Sequence, residues 1–277
     1  MHVCARLHSR CCTISLGMNE DIPLARRELI ASRLSAGESV VAATLAAEFG
    51  VSEDAIRRDL RALAAEGRCR RVYGGALPVS PASAPMSARM DAARERKAAL
   101  ARAAVAQIGR GELLFLDSGS THLALADALP EDHDLTVATN SIDVAAALLR
   151  RADIALIMVG GGVDPVVGGS VDAAAVAAVA QMNIDRCFLG ACAVAPQEGV
   201  SAFEFADAGF KRALLARSRH ATILSTTDKL GETAAHRVAA IDEIANVIVE
   251  HDAPAAQIKA LTKAGTVVIK AERPDER

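Results

Sequence analysis

The sequence predicts an α/β protein in two parts: a small helical unit at the N-terminus and a larger C-terminal domain on a mainly parallel sheet. Three observations predict it. From about residue 91, short apolar runs alternate with Ala-rich helical stretches, the pattern of a sheet covered by helices. Residues 24–77 instead carry helical periods that end in a glycine turn. Between the two parts, PVSPASAPMSA (78–88) holds three Pro and three Ser in eleven residues, which is linker composition. The expected organisation is a tail over 1–17, a first domain over 18–79, a linker over 80–92, a second domain over 93–253, and a C-terminal helix, strand and tail over 254–277.

Composition narrows the class. With 51% hydrophobic and 23% charged residues the chain can build a sizeable core, and wholesale disorder is excluded. One Tyr, six Phe and no Trp make that core aliphatic. No apolar run approaches the roughly 18–20 residues of a membrane span, so no membrane partner is expected. A net charge of -3 excludes a protein that is basic throughout and leaves room for a local basic patch. Six cysteines without a C-x-x-C pair exclude a disulfide framework and a zinc ribbon. His2, Cys4, His8, Cys11 and Cys12 could in principle ligate a metal, a minor alternative on their spacing. Their segment reads as a tail, or as an overlong start ahead of Met18, and lacks the apolar stretch of a secretory signal. No metal and no cofactor are expected, and the compartment is a reducing cytoplasm.

The first helix is expected over about 24–35, with Leu29, Ile30 and Leu34 facing inward. A short helix follows, with Leu45 and Phe49 at i, i+4, and turns at Gly50. Ser52 then N-caps EDAIRRDLRALAAE (53–66), because its hydroxyl can accept from an orphan backbone N–H. On a helical wheel Ile56, Leu60 and Leu63 form one apolar stripe. Arg57, Arg58 and Arg61 lie on the opposite face. Three short helices with a tight Gly turn before the last make a helix-turn-helix. From Arg57 to Arg71 six Arg face only Asp59 and Glu66, a basic patch suited to phosphates and guanine edges. The plain alternative is a solvated helix face. CRRVYGGALP (69–78) then reads as a hairpin carrying Arg70, Arg71 and Tyr73.

Those residues carry a family likeness. VSEDAIRRDLRALAAEGRCRRVYGGAL resembles the winged helix-turn-helix signature of DeoR-type bacterial transcriptional regulators. The resemblance makes the helix from Ser52 the recognition helix. Its implied contacts with double-stranded operator DNA are Ser52, Arg57, Arg58, Arg61, Arg70, Arg71 and Tyr73. Two positions depart from the pattern: Ala55 stands where the family commonly has Thr, and Val41–Ala42 where it commonly has a capping Ser or Thr. Asp59 is expected to orient Arg58 or to close a helix N-terminus.

In the second part, strands are expected at 112–117, 135–139, 154–159, 186–191, 221–226, 246–250 and 266–270, with helices between most of them. ELLFLDSGSTHLALADAL (112–129) ends a strand at Asp117 and runs through Ser-Gly-Ser-Thr into a helix. Small hydroxyls and free N–H groups at a helix N-terminus bind anions, although an ordinary capped turn has the same look. No Lys follows, so it is no Walker loop, nor is it a dinucleotide fingerprint. ATNS (138–141) and VGGGVDP (159–165) end two further strands, and ligands of open α/β sheets sit at such ends. Asp207 and Lys211 stand at i, i+4, most plainly as a surface salt bridge worth a few tenths of a kcal/mol. Lys229 follows the strand at 221–226.

In order, these elements resemble the DeoR sensor domain, related in fold to ribose-5-phosphate isomerase and the CoA transferases. The resemblance implies a phosphorylated sugar or sugar-like effector held by Asp117, Gly119, Ser120, Thr121, Asn140, Lys211 and Lys229. It also implies a homo-oligomer. An Arg that often follows the Gly-rich strand in the family is missing from VGGGVDPVVGG. The expected function is a DNA-binding regulator, most simply a repressor, of a carbohydrate-metabolism operon. The alternative is a phosphosugar isomerase-like enzyme with an added DNA-binding module, for which Asp117 and Asp207 are the candidate bases.

Overall fold

The computed structural model describes residues 21–35, 38, 40–66, 68–72, 74–78, 86–90 and 92–273. Tyr73 and the tail with its cysteines lie outside the described residues. The chain divides into two compact units, residues 1–79 and 80–277.

The first unit runs α1 (Asp21–Ser35), β1 (Val40–Val41), α2 (Ala42–Phe49), α3 (Glu53–Ala65), β2 (Cys69–Val72) and β3 (Gly75–Pro78). Its core is Ile30, Leu34, Leu45, Ile56, Leu60, Leu63 and Cys69, all buried. Leu29 was expected among them but is exposed. Ile30 and Leu34 at i, i+4 already define the inward stripe, and Leu29 lies about 100° away from Ile30. Gly50 takes the left-handed conformation (φ 63°) and donates its N–H to the Ala46 carbonyl, which closes α2 and makes the turn. Val41 gives α2 no side-chain cap, and the Ala42 N–H is satisfied instead by the Gly74 carbonyl at 2.8 Å.

The hairpin β2–β3 pairs with β1 in the order β1-β3-β2. At Gly75 the strands approach so closely that a Cβ would lie 2.0 Å from the Val40 carbonyl oxygen. Gly75→Ala is therefore expected to displace β1 and cost the first unit about 1–3 kcal/mol, the usual scale of overpacking. Urea melts followed by circular dichroism check this; an unchanged midpoint would mean the hairpin tolerates a wider spacing.

The second unit continues with α4 (Met86–Met90), α5 (Arg94–Val105), β4 (Leu113–Leu116), α6 (Ser120–Ala128), β5 (Thr136–Thr139), α7 (Ile142–Leu148) and β6 (Ala155–Met158). Then come β7 (Val163–Asp164), β8 (Gly169–Ser170), α8 (Ala173–Val179), β9 (Ile184–Leu189), β10 (Ala193–Ala195), β11 (Gly199–Ala202) and α9 (Phe205–Ala216). The chain closes with β12 (Ser218–Ser225), β13 (His236–Ala239), β14 (Asn246–Val249), α10 (Ala255–Lys263) and β15 (Val267–Lys270). Seven strands form one parallel sheet, β15-β14-β12-β9-β4-β5-β6, and these are the seven apolar runs of the sequence.

Side chains alternate across it. Leu114 and Leu116 pack with Leu100 of α5, Leu125 of α6 and Val144 of α7. Phe115 points to the other face, with Val179 of α8, Phe210 of α9 and Leu261 of α10. The result is three layers, with a helix set on each face of the sheet.

Two expected boundaries shift. Residues 254–277 were set apart from the second domain, yet α10 and β15 complete its sheet, because Val247 and Val249 pair with Val268 and Lys270. The expected linker (80–92) includes the short helix α4, whose Met86 is buried. Gly168 makes room for it: a Cβ there would lie 2.7 Å from the Met86 side chain.

Candidate functional site

In α3, Ser52 is exposed and its hydroxyl accepts from the Ala55 N–H at 3.3 Å. Arg57, Arg58 and Arg61 are exposed along one face, opposite buried Ile56, Leu60 and Leu63. The three arginines are not equivalent. Arg57 pairs with Glu53 at 2.6 Å and with Asp54 at 3.3 Å. Among the described residues, Arg58 and Arg61 donate only to helix carbonyls, those of Asp54 (3.4 Å) and Arg57 (3.2 Å). Asp59 does not orient Arg58. It pairs with Arg26 of α1 at 2.7 Å, both side chains being largely buried, and so ties α3 to α1. Arg71 is exposed on β2, opposite Ala76, and Arg70 occupies the next register position, opposite Leu77.

In the sheet, β5 and β6 lie on one side of β4, and β9, β12, β14 and β15 on the other. Strand order reverses at β4 and β9, and such a reversal opens a crevice at the carboxyl ends of the strands. Asp117 closes β4 at that point. Its Oδ1 accepts from the Ser118 N–H at 2.8 Å, and its Oδ2 accepts from the Gly190 N–H beyond β9 at 2.8 Å. Lys211 Nζ stands 3.0 Å from the same Oδ2 and also pairs with Asp207. All three side chains are buried. The Asp207–Lys211 pair is thus a core element and not the surface bridge read from its spacing. Burial pushes the Lys211 ammonium down, but Asp117 and Asp207 outweigh it and hold the lysine above its ordinary range. Burial lifts Asp207 above the usual carboxylate range, against the opposing pull of Lys211.

Beside this cluster lies a cavity of about 150 Å³. Gly119, Ser120 and Thr121 line it at the start of α6, and Lys211 and Lys229 line it from α9 and from the loop after β12. The N–H groups of Gly119, Ser120 and Thr121 have no hydrogen-bond partner among the described residues. Neither does the Lys229 ammonium, which burial holds below its ordinary range. Donors and cations therefore converge at the start of α6, in a cavity that Glu204, Asp207 and Asp228 also line.

Two of the expected ligand residues stand behind the wall. Asn140 is fully buried: its Oδ1 accepts from the Ser118 N–H at 3.1 Å and its Nδ2 donates to the Ser170 carbonyl at 3.1 Å. Asp117 is likewise spent on its three partners. Both shape the loop and do not line the cavity.

Cavity residues missed in the sequence include Arg89, Lys97, His122, Cys192 and Glu204. Arg89 of α4 donates to the Val166 carbonyl at 3.1 Å, so a guanidinium reaches the Gly-rich loop from outside that loop. Lys97 is buried and donates to the Arg89 carbonyl. His122 is buried, and burial pushes its imidazole down to about 4, so the ring is neutral at pH 7. Only His122 had a signal in the sequence, as the polar residue that directly extends the Ser-Gly-Ser-Thr loop.

A helix-turn-helix unit joined to a sheet domain with an anion-suited pocket at its switch point defines a class, the ligand-sensing DNA-binding regulators. Residues 26–82 match the DeoR-like helix-turn-helix domain, and residues 92–251 match the DeoR C terminal sensor domain. The chain belongs to the DeoR family of transcriptional regulators. It is 31% identical to the glycerol-3-phosphate regulon repressor of Escherichia coli K12, over 79% of this chain and 87% of that one. It is 26% identical to the HTH-type transcriptional regulator GlpR of Haloferax volcanii, over 90% of this chain and 98% of that one. Ribose 5-phosphate isomerase A of Neisseria gonorrhoeae is a distant structural likeness, with a TM-score of 0.37 and 15% identity over 50% of this chain and 55% of that one.

Proposed function

We propose that this regulator represses a carbohydrate-metabolism operon in the cytoplasm and answers to a phosphorylated sugar-like effector bound at the start of α6. The observation that carries this reading is the convergence of three unpartnered N–H groups with Lys229 on one cavity. Ser120 and Thr121 add hydroxyls beside them. A relative named for a glycerol-3-phosphate regulon supports a phosphorylated small molecule. Operator DNA is taken by Arg57, Arg58, Arg61, Arg70 and Arg71, with Ser52 and Tyr73. Symmetric half-sites call for a homo-oligomer.

The same reading leaves the protein without catalytic turnover. The two carboxylates that the sequence offers as an isomerase's base are not free to reach a substrate carbon. Asp117 has both oxygens occupied, and Asp207 is held by Lys211.

A thermal-shift screen of sugar phosphates against the unphosphorylated sugars tests the pocket. A ligand at 100 times its Kd is expected to stabilise the protein by about 2.7 kcal/mol, with only phosphorylated compounds active. Ser120→Ala and Lys229→Ala should blunt the shift. Equal binding of free sugars would overturn the anion site, and turnover of the ligand at enzyme-like rates would replace a sensor with an enzyme. An unchanged operator affinity on binding would make the pocket no switch, since only differential affinity for two states shifts an equilibrium.

A further inference from the structure

His122 is the third residue of α6, in the same helical turn as the free N–H groups of the pocket. It is 2% exposed and lines the cavity, yet neither Nδ1 nor Nε2 makes a well-formed hydrogen bond among the described residues, the Asp117 carbonyl being the backbone acceptor that bears on the ring. A neutral imidazole carries one donor and one acceptor. Leaving both unpaired in a protein interior is unfavourable, and buried polar side chains almost always find partners. The Asp117 carbonyl can engage one ring nitrogen at most, so the other polar edge is left to the cavity. Three other buried polar groups at the switch point are spent within the protein: Lys211 on two carboxylates, Asp117 on two N–H groups and Lys211, and Asn140 on the Ser118 N–H and the Ser170 carbonyl, whereas Arg89 Nε and the Ser170 hydroxyl also have no partner among the described residues. Gly119 leaves the ring its space, since a Cβ there would lie 3.2 Å from His122 Nδ1.

We propose that His122 is a specificity-determining residue of this pocket, reading hydroxyl groups on the carbon chain of a phosphorylated polyol or sugar. The proposal rests on the phosphate reading of the pocket given above. A hydroxyl both donates and accepts, so one hydroxyl, or two on neighbouring carbons, satisfies the ring where an alkyl chain does not. The ring shares the first turn of α6 with the N–H groups that face the phosphate, which sets the hydroxyl it reads near the phosphate end of the ligand.

The experiment uses the full-length protein and calorimetric or melting titrations with a defined set of probes. These are inorganic phosphate, propyl phosphate, glycerol 3-phosphate, ribose 5-phosphate, 2-deoxyribose 5-phosphate and fructose 6-phosphate. The wild type is expected to bind at least one hydroxylated phosphate about 10-fold or more tighter than propyl phosphate, the scale of one good hydrogen bond. His122→Phe is expected to bind both alike. Its ligand-free melting temperature should stay close to that of the wild type or exceed it, because a buried polar edge without a good partner is gone. His122→Leu repeats the comparison with a smaller side chain.

A structural histidine gives the opposite pattern: both variants melt lower, and discrimination among probes survives in whatever remains folded. That result overturns the proposal. So does a wild type that binds propyl phosphate and hydroxylated phosphates equally, and in that case the anion pocket itself stands. If no phosphorylated probe binds, inorganic phosphate included, the anion pocket fails and the proposal falls with it.

Discussion

Lys211→Met is expected to destabilise the sensor domain by about 3–5 kcal/mol, the cost of breaking a buried ion pair by removing one partner. The substitution keeps most of the aliphatic stem and removes the only ammonium within salt-bridge reach of Asp117 and Asp207 among the described residues. Two carboxylates then remain buried without a counter-ion. Asp207, which burial already lifts, then loses the opposing pull of Lys211, so the native variant holds its proton more tightly than the unfolded chain does. Stability then rises as pH falls. The deficit against wild type should be widest at about pH 8 and narrow toward about pH 5. Across that range the wild-type lysine contributes steadily: its folded value is raised, so its contribution is lost only as pH climbs through the strongly basic range. Urea midpoints at several pH values measure both effects. A loss under about 1 kcal/mol, the scale of a solvated surface pair, would mean that water reaches this cluster. A deficit that grows on acidification would reverse the assigned charges. Because Lys211 holds the fold at this point, its removal is a poor probe of ligand binding, and Ser120 and Lys229 serve that purpose.

Arg58→Ala is expected to weaken operator binding by about 1–3 kcal/mol if the guanidinium reads a base edge, with relaxed preference at that base pair. Arg61→Ala should behave similarly. Arg57→Ala should cost less, because Arg57 must first leave Glu53 and Asp54. An arginine that only contacts phosphate would instead lower affinity for all sequences alike and reduce the salt slope by about 1. Fluorescence anisotropy with operator and scrambled duplexes, at two or more salt concentrations, separates these outcomes. Unchanged affinity in both Arg58→Ala and Arg61→Ala would remove α3 from the DNA interface. An Arg57→Ala loss exceeding that of Arg58→Ala would show that its intramolecular pairs do not compete.

Much of this was legible in the residues. The inner strands of the sheet read as continuous apolar runs because they are buried on both faces, so no period-2 alternation was needed to see them, and the edge strands β6 and β15 carry similar runs although they are partly exposed. The stripe of Ile56, Leu60 and Leu63 followed from 3.6-residue periodicity alone. What escaped notice was short or set by tertiary contacts. The strands at Ala193–Ala195, Gly199–Ala202 and His236–Ala239 form a small antiparallel sheet, and none carries an apolar run long enough to stand out. Leu29 is apolar yet exposed, and one residue type cannot announce that. The loop at 117–121 was found because strand, glycine and hydroxyls are contiguous in the chain. The roles inside it were harder. Asp117 and Asn140 looked like ligand contacts but are consumed by Ser118, Gly190, Ser170 and Lys211, partners up to 94 positions away. Arg89 and Lys97 reach the cavity from α4 and α5, and no local pattern links those residues to the strand ends.

The reversal of strand order at β4 and β9 also governs how the domain is made. Leu114 pairs with Arg186, so the central strands are neighbours in space and distant in the chain. During synthesis β4, β5 and β6 leave the ribosome well before β9. Closing so long a loop is slow, because its entropy is lost before the new contacts reward it. Until β9 arrives, Asp117 lacks the Gly190 N–H, and until α9 follows it lacks Lys211 as well. The Asp117–Lys211 cluster beside the pocket therefore cannot be complete until α9 has emerged.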